Sequence, residues 1–426
     1  MPNTDKKRFF VDLFAGCGGL SLGLEKAGFS PILVSELNPD AMETYLLNRE
    51  SRYPLLRQKY HVFDVKSLVL DDSKLIEMIE GFKSDYNIDV NKGELDLLAG
   101  GPPCQGFSGI GYRRSYTVDK KQLPSNYLYE DMAYLVSKFR PKIFLFENVK
   151  GLLSAKWTSS GKRGEIWNEI VTTFENIGLY NIMAKLVFAK EYDVPQNRPR
   201  VIMVGIRKDI GNFSEGSGDP IDAGFLPVPT NRYPNLEDLL SDLVDPNFSY
   251  GSSTNSYIYD PLSDIQKALR TEFSTDKIIK KGDVLHEQYY SKHSDKIIRK
   301  FEYMLNNNGS IPDEYITKKF AQRVLPAIWK ETGPTITATS MPDDYIHYKQ
   351  PRTLTVREWA RLQTFPDWYK FSGKRTTGGI RRAGNPLLGI FDRELPRYTQ
   401  IGNAVPVSLA YSLGKHFRKI LDQNNS

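Results

Sequence analysis

Between Arg8 and Gly205 the chain alternates short apolar runs with stretches of helical period, and polar or glycine-rich turns separate them. Residues 8–14 predict a strand, Ala15-Gly16-Cys17-Gly18-Gly19 a glycine turn, and Leu20, Leu22, Leu24 and Ala27 a helix closing at Gly28. Residues 31–35 predict a second strand ending in Glu36, after which Asn38 and Pro39 open a helix as N-cap and first-turn proline. Further strands are expected at 60–65, 95–99, 142–146, 183–188 and 201–205, with helices at 126–139 and 165–177. Strand, glycine turn, helix, strand and acid in that order predict an α/β nucleotide-binding fold.

After Lys208 the texture changes. Up to about Glu331 the chain is rich in Pro, Asn, Ser, Tyr and Asp and weakly periodic, which predicts a separate loop-rich unit inserted into the first. Regular structure returns at Arg352, where Thr355 and Glu358 fit a capping box for a helix ending before Pro366. A Gly- and Arg-rich loop (370–388) follows, and a helix over 407–421 closes the chain. The expected division is 1–207 as the first domain, 208–341 as the loop-rich insert, and 342–426 returning to the first.

Composition narrows the setting. No apolar run reaches the roughly 20 residues a membrane span needs, and residues 1–7 lack the apolar core of a signal peptide. Two cysteines in 426 residues make no disulfide framework, and no Cys-x-x-Cys or His cluster suggests zinc. The expectation is a monomer in a reducing cytoplasm, without metal. The net charge of +6 is modest but uneven. Residues 209–276 hold 12 acidic and 3 basic side chains, 277–330 hold 6 and 11, and 331–400 hold 7 and 11. A polyanion would be drawn to the C-terminal part; two ordinary solvated faces would give the same count.

The chemistry gathers at strand ends. Gly100, Gly101, Pro102 and Pro103 make a stiff turn after the fourth strand and present Cys104 on it. A buried cysteine is usually a small hydrophobe, but a proline-stiffened turn where α/β sheets bind ligands favours a nucleophile. Glu147 ends a buried strand, where a carboxylate must be paired or have a raised pKa, and either suits proton chemistry. Arg198 and Arg200 alternate before the next strand and suit an anion or a base edge. Gly16-x-Gly18-x-x-Ser21 lacks the third glycine of the dinucleotide fingerprint, so with Glu36 it indicates an adenosine-like ligand without saying which. Asp64 suits an adenine amino group or a helix cap equally. Residues 106–125, with four basic side chains and two inner glycines, suit a lid over phosphates. Cys17 is read as a small packing residue.

Taken together, these stretches resemble the DNA cytosine-C5 methyltransferases. The resemblance rests on six motifs in the family's order: Asp12-Leu13-Phe14-Ala15-Gly16-Cys17-Gly18-Gly19, Gly101-Pro102-Pro103-Cys104-Gln105, Phe146-Glu147-Asn148-Val149, Gln196-Asn197-Arg198-Pro199-Arg200, Arg352-Thr353-Leu354-Thr355-Val356-Arg357-Glu358 and Gln400-Ile401-Gly402-Asn403-Ala404-Val405-Pro406. It covers about two thirds of the chain and looks like the bacterial restriction–modification enzymes rather than the eukaryotic multi-domain forms. It implies a Rossmann-like mixed sheet with helices on both faces, S-adenosylmethionine as cofactor, and a smaller target-recognition domain. Duplex DNA is the implied substrate, with a cytosine flipped out of it, and a restriction endonuclease a functional partner; DNA would draw the protein to the nucleoid. By the same resemblance Cys104 attacks cytosine C6, Glu147 holds N3 and the amine, Arg200 reaches O2, and Arg198 holds the thiol or a phosphate. The implied cofactor positions are Phe14, Ala15, Gly16, Cys17, Gly18, Gly19, Glu36, Leu37, Asp64, Val65, Gly101, Pro103, Leu128, Asn403, Ala404 and Val405. Two departures stand out: Leu37 replaces an aromatic found in many relatives, and the link 370–396 is long and basic. The alternatives are a tRNA cytosine methylase, which manages with a shorter insert, a nicotinamide or flavin oxidoreductase, which leaves Glu147, Arg198 and Arg200 without roles, and an inactive DNA-binding relative.

Overall fold

A computed structural model describes residues 6–103, 124–211, 213, 218–316, 322–328, 333–337, 344–377 and 394–423. Seven strands, β1 (Arg8–Leu13), β2 (Phe29–Ser35), β3 (His61–Val62), β4 (Leu97–Gly100), β5 (Ile143–Val149), β6 (Tyr180–Phe188) and β7 (Pro199–Arg207), form one sheet in the order β3-β2-β1-β4-β5-β7-β6. The first five run parallel; β7 lies antiparallel between β5 and β6. The order reverses between β1 and β4, which opens a crevice at the strands' C-terminal ends.

Alternation along the strands feeds two layers. Val11, Leu98, Phe144 and Phe146 face one core, with α3 (Asp72–Tyr86), α4 (Leu128–Phe139) and α5 (Glu165–Glu175). Phe10, Leu97, Ala99, Ile143 and Leu145 face the other. There α1 (Gly19–Lys26) meets the C-terminal helix at close range: a Cβ on Gly23 would sit 2.4 Å from Ala410 Cβ, and one on Gly414 2.7 Å from Ala27 Cβ. Ile210, Phe225 and Leu226 also pack in this layer.

The third strand is shorter than its sequence predicts. Asp64 ends it, because its carboxylate accepts the Lys66 N–H at 3.0 Å and its carbonyl takes the Ser67 hydroxyl, starting a helical turn. At β2's end Asn38 does cap α2 (Pro39–Leu47), accepting the Ala41 N–H. No described helix is long and apolar enough to cross a membrane.

The segment from α6 (Leu236–Leu240) and α7 (Asp264–Arg270) to Leu285 shares a third core with α9 (Val356–Leu362) and the glycine turn. A smaller cluster follows, Phe301 and Met304 of α8 (Asp295–Asn306) against Ile346. The third core buries charges of both signs, Asp242, Glu358 and Asp367 among the arginines, so the uneven charge balance is nearly unchanged. Arg270, Arg352, Arg357 and Arg361 are buried, so they attract no external polyanion. Arg352 grips Glu358 with two hydrogen bonds of 2.8 and 2.6 Å. Burial alone would raise that carboxyl, but Arg352 and the Thr355 N–H hold it down at about 2. The expected capping box is present, and Glu358 does double duty in it.

Candidate functional site

The ends of β1, β2 and β3 lie side by side, joined by Ala15 N–H to Ser35 and Glu36 N–H to Val62. Glu36 is the centre of this rim. Its carboxylate accepts the Gly16 N–H at 2.9 Å and the Asn38 N–H at 2.8 Å, one per oxygen. Burial pushes its pKa up, and those two N–H groups oppose the shift. Around it stand Phe14, in a left-handed conformation (φ 60°), half-buried Ala15, and two solvent-facing apolar side chains, Leu37 (71% exposed) and Phe63 (46%). Exposed apolar side chains beside a half-buried carboxylate with spare lone pairs fit an adenosine, whose ring is apolar and whose ribose donates. Asp64 is exposed and Val65 buried at the end of β3.

The glycines of the turn do different jobs. A Cβ on Gly16 would meet nothing within 4 Å, so this position is open to a ligand. On Gly18 it would strike Arg49, Tyr369 and Tyr45 at 2.8 to 2.9 Å, and on Gly19 the Val405 carbonyl at 2.4 Å. These two serve internal packing, and Gly19 draws half-buried Ala404 and buried Val405 against the turn; Asn403 beside them is exposed. Cys17 points inward: its Sγ meets the Gln400 carbonyl at 3.4 Å, and burial pushes the thiol up to about 12. Only its backbone can reach the rim.

Behind the turn is a polar cluster with no local sequence signature. Arg49 is buried, donates to Glu25, Tyr369 and the Gly18 carbonyl, and lies 3.8 Å over the Tyr45 ring. Ser21 donates to Asp12 and meets the Tyr45 hydroxyl at 2.8 Å. Asp12 is fully buried and its Oδ1 has no hydrogen-bond partner. Burial raises its pKa to about 7, despite the Ser21 hydrogen bond. The folded chain therefore holds a proton that the unfolded chain releases near its ordinary value of 3.8. Stability from this group is full below pH 4 and falls as pH rises to about 7, by at most on the order of 4 kcal/mol. Asp12→Asn is expected to flatten thermal stability across that window; parallel pH curves for the two proteins would contradict it.

On the other side of the crevice, Gly101, Pro102 and Pro103 leave β4 beside the end of β5. A Cβ on Gly101 would lie 2.9 Å from Glu147 Oε2, and the Pro102 carbonyl accepts from Asn148 at 2.9 Å. Pro103 is exposed. Cys104 and nearly all of the expected lid lie outside the described residues, as do Arg381 and Arg382 of the long basic link. Leu128, half-buried, opens α4.

The antiparallel insertion of β7 places Arg200 opposite Val149, and its Nε meets Glu147 Oε1 at 2.6 Å. Arg198 does not join that pair directly. Its guanidinium donates to the carbonyls of Ile336 (2.8 Å), Gly402 (2.7 Å) and Asn403 (3.3 Å), while its buried Nε has no partner. Burial, then the neighbouring Arg200 charge, pushes its pKa well below the usual arginine range. Gln196 and Asn197 extend the same strut: Asn197 N–H donates to Pro334, and Gln196 takes the Ile336 N–H and gives to Leu362. One short stretch thus ties the segment 334–336, α9 and the turn after Gly402 to the Glu147 side. Among the described residues no group of three His, Cys, Asp or Glu is placed to hold a metal.

A family model for C-5 cytosine-specific DNA methylases matches residues 9–419. The Type II methyltransferase M.DdeI of Desulfomicrobium norvegicum is 30% identical over 422 residues, covering 95% of this chain and 87% of its own. Type II methyltransferase M1.HphI of Haemophilus parahaemolyticus is 28% identical over 415 residues, covering 96% and 87%. The crystal structure of a protein described as a DNA modification methyltransferase encoded within an E. coli prophage superimposes with a TM-score of 0.64, covering 97% of this chain and 99% of its own. At 24% identity that likeness speaks for the fold. With the family model spanning almost its whole length, the chain belongs to the C-5 cytosine-specific DNA methylases.

Proposed function

We propose that the chain methylates C5 of a cytosine flipped out of duplex DNA at a specific sequence, through a covalent bond between Cys104 and cytosine C6. The observation that carries this is the Glu147–Arg200 pair beside the Gly101–Pro103 turn, one residue short of the cysteine. Cytosine C5 is a poor nucleophile. Thiolate addition at C6 makes C5 enamine-like, and a free thiol is only a few per cent thiolate at neutral pH, so the ring must be drawn toward addition. Glu147 does this at N3 and the exocyclic amine, and Arg200 neutralises charge at O2 while orienting Glu147. Once C5 carries the methyl group, transfer of its proton to a base re-forms the C5–C6 double bond and expels Cys104 as the thiolate. Arg198 acts as the strut that fixes Arg200's neighbourhood.

S-adenosylmethionine, when bound, supplies the electrophilic methyl group. Glu36 would accept from its ribose, Phe14, Leu37 and Val65 would line the adenine side with Asp64, and Gly16, Gly101, Pro103, Leu128 and residues 403–405 would line the rest. Flipping costs a few kcal/mol, offset by contacts to the DNA backbone. Residues 1–207 and 342–426 carry catalysis, and 208–341 carry target recognition. The names of the relatives support a restriction–modification setting, with a partner endonuclease.

A second substrate class is favoured by no observation, but one assay separates it. Labelled methyl transfer from S-adenosylmethionine is expected to duplex DNA and not to tRNA. Transfer to tRNA alone would overturn the DNA assignment.

A further inference from the structure

An open hollow of about 460 Å³, which shares no lining residue with the strand-end crevice, lies where the link after α9 meets residues 251–290. Ser253, Asn255, Glu287, Tyr289, Arg375 and Arg397 line it. Two arginines and one carboxylate thus share the lining. Arg397 holds both Glu287 oxygens at 3.0 Å through a single nitrogen, Nη1, and its Nε has no partner. Glu287 sits in a left-handed conformation, φ 66°, that an L-residue adopts only under constraint. Its carbonyl is meanwhile fixed by the Arg357 N–H.

Arg375 makes no ion pair with any described residue. It lies 4.5 Å from the centre of the Tyr289 ring, a residue that is 42% exposed, and one N–H reaches the Tyr289 carbonyl at 3.4 Å. Stacking fixes the guanidinium plane and leaves most of its N–H donors unspent. The base of the link is itself held: Lys374 pairs with Glu394 at 2.9 Å, and Arg397 N–H donates to the Lys374 carbonyl. Lys374 is thus neutralised, and the hollow keeps a net charge of about +1 from Arg375, Arg397 and Glu287.

We propose that this hollow binds a phosphate group, and that the phosphate is one of the DNA backbone outside the flipped cytosine, with Arg375 as its principal ligand. A pre-oriented guanidinium on an aromatic platform matches a phosphodiester, and an open, polar, shallow surface suits the side of a polymer better than a small molecule that must be enclosed. The assignment of DNA rests on the function proposed above; the phosphate chemistry does not. The long basic link after α9 thereby gains a task, extending the footprint on DNA beyond the reaction site.

The test compares the full chain with R375Q and E287Q on a long random-sequence duplex across a KCl series, each variant first checked for an unchanged melting temperature. Wild-type affinity should fall steeply with salt. R375Q should weaken binding on the order of fivefold and lower the slope of log K against log salt by about 1. E287Q, which removes the opposing carboxylate, should move affinity the other way. A folded R375Q with wild-type slope and affinity overturns the proposal, whatever E287Q does. A parallel titration with inorganic phosphate at constant ionic strength separates the two sources. Thermal stabilisation by phosphate that needs Arg375, with an unchanged DNA slope, would make this a free-phosphate site and overturn the DNA assignment. Wild-type protein that fails to bind duplex DNA at all would instead remove the function proposed above.

Discussion

Cys104→Ser should abolish methyl transfer while S-adenosylmethionine binds as before. The thiol is the group asked to add to cytosine C6, and a serine hydroxyl is a far weaker acid and nucleophile at neutral pH. Loss of the nucleophile should lower turnover by a factor on the order of 10³ or more. Cofactor affinity should hold because the rim around Glu36 is built from β1, β2 and β3, whereas Cys104 follows β4. The second cysteine cannot substitute: the Cys17 thiol is buried, directed at the Gln400 carbonyl and pushed up to about 12. Calorimetric titration of cofactor into the variant, alongside labelled transfer, checks both halves. Retained turnover would sink the covalent mechanism.

Arg361→Leu should be the most destabilising single change in the third core. Arg361 is buried and donates to Asp242, to the Leu239 carbonyl at 2.6 Å, and to both Asp367 oxygens at 3.0 and 2.6 Å. It joins α9 to the start of the inserted segment and to the turn after Pro366. Arg270 approaches Asp242 at 3.1 Å and Tyr257 donates to Asp367 at 2.6 Å, but neither replaces a fork that serves both carboxylates. Removing it leaves two buried charges under-compensated, a loss of about 3–5 kcal/mol. The melting temperature should fall by roughly 5 °C or more. Arg361→Lys should recover only part of this, because an ammonium cannot satisfy two carboxylates in a plane. A Leu variant melting within a degree of the parent would show that the cluster contributes no net stability.

That cluster also marks where sequence reasoning stops. The strands of the sheet are legible because short apolar runs bounded by Gly and polar turns suit buried strands and little else. The caps at Asn38 and Thr355 follow from side-chain chemistry within one turn. Arg270, Arg352, Arg357 and Arg361 enter a charge total as if exposed, and so do Asp242, Glu358 and Asp367, since a total cannot know which carboxylate lies across a core from which arginine. Asp242 is 119 residues from Arg361 in the chain. The same limit applies at the site. Glu147 and Arg200 are each identifiable at the edge of a strand, but only the antiparallel insertion of β7 beside β5 sets them 2.6 Å apart. Arg198 lies two residues from Arg200 and alternation alone would give both the same task, yet its donors go to the carbonyls of Ile336, Gly402 and Asn403. The glycine turn reads in sequence as a ligand cradle along its whole length. Gly16 fits that description, while Gly18 and Gly19 are small because Arg49, Tyr369 and Val405 press on them.

If this chain marks cytosines in duplex DNA at a defined sequence, bisulfite sequencing of DNA from cells producing it will show the marks. A 5-methylcytosine resists the deamination that converts cytosine, so protected positions should share one recurring sequence and should vanish in cells producing Cys104→Ser. Complete conversion at every cytosine, as in cells without the protein, would contradict it.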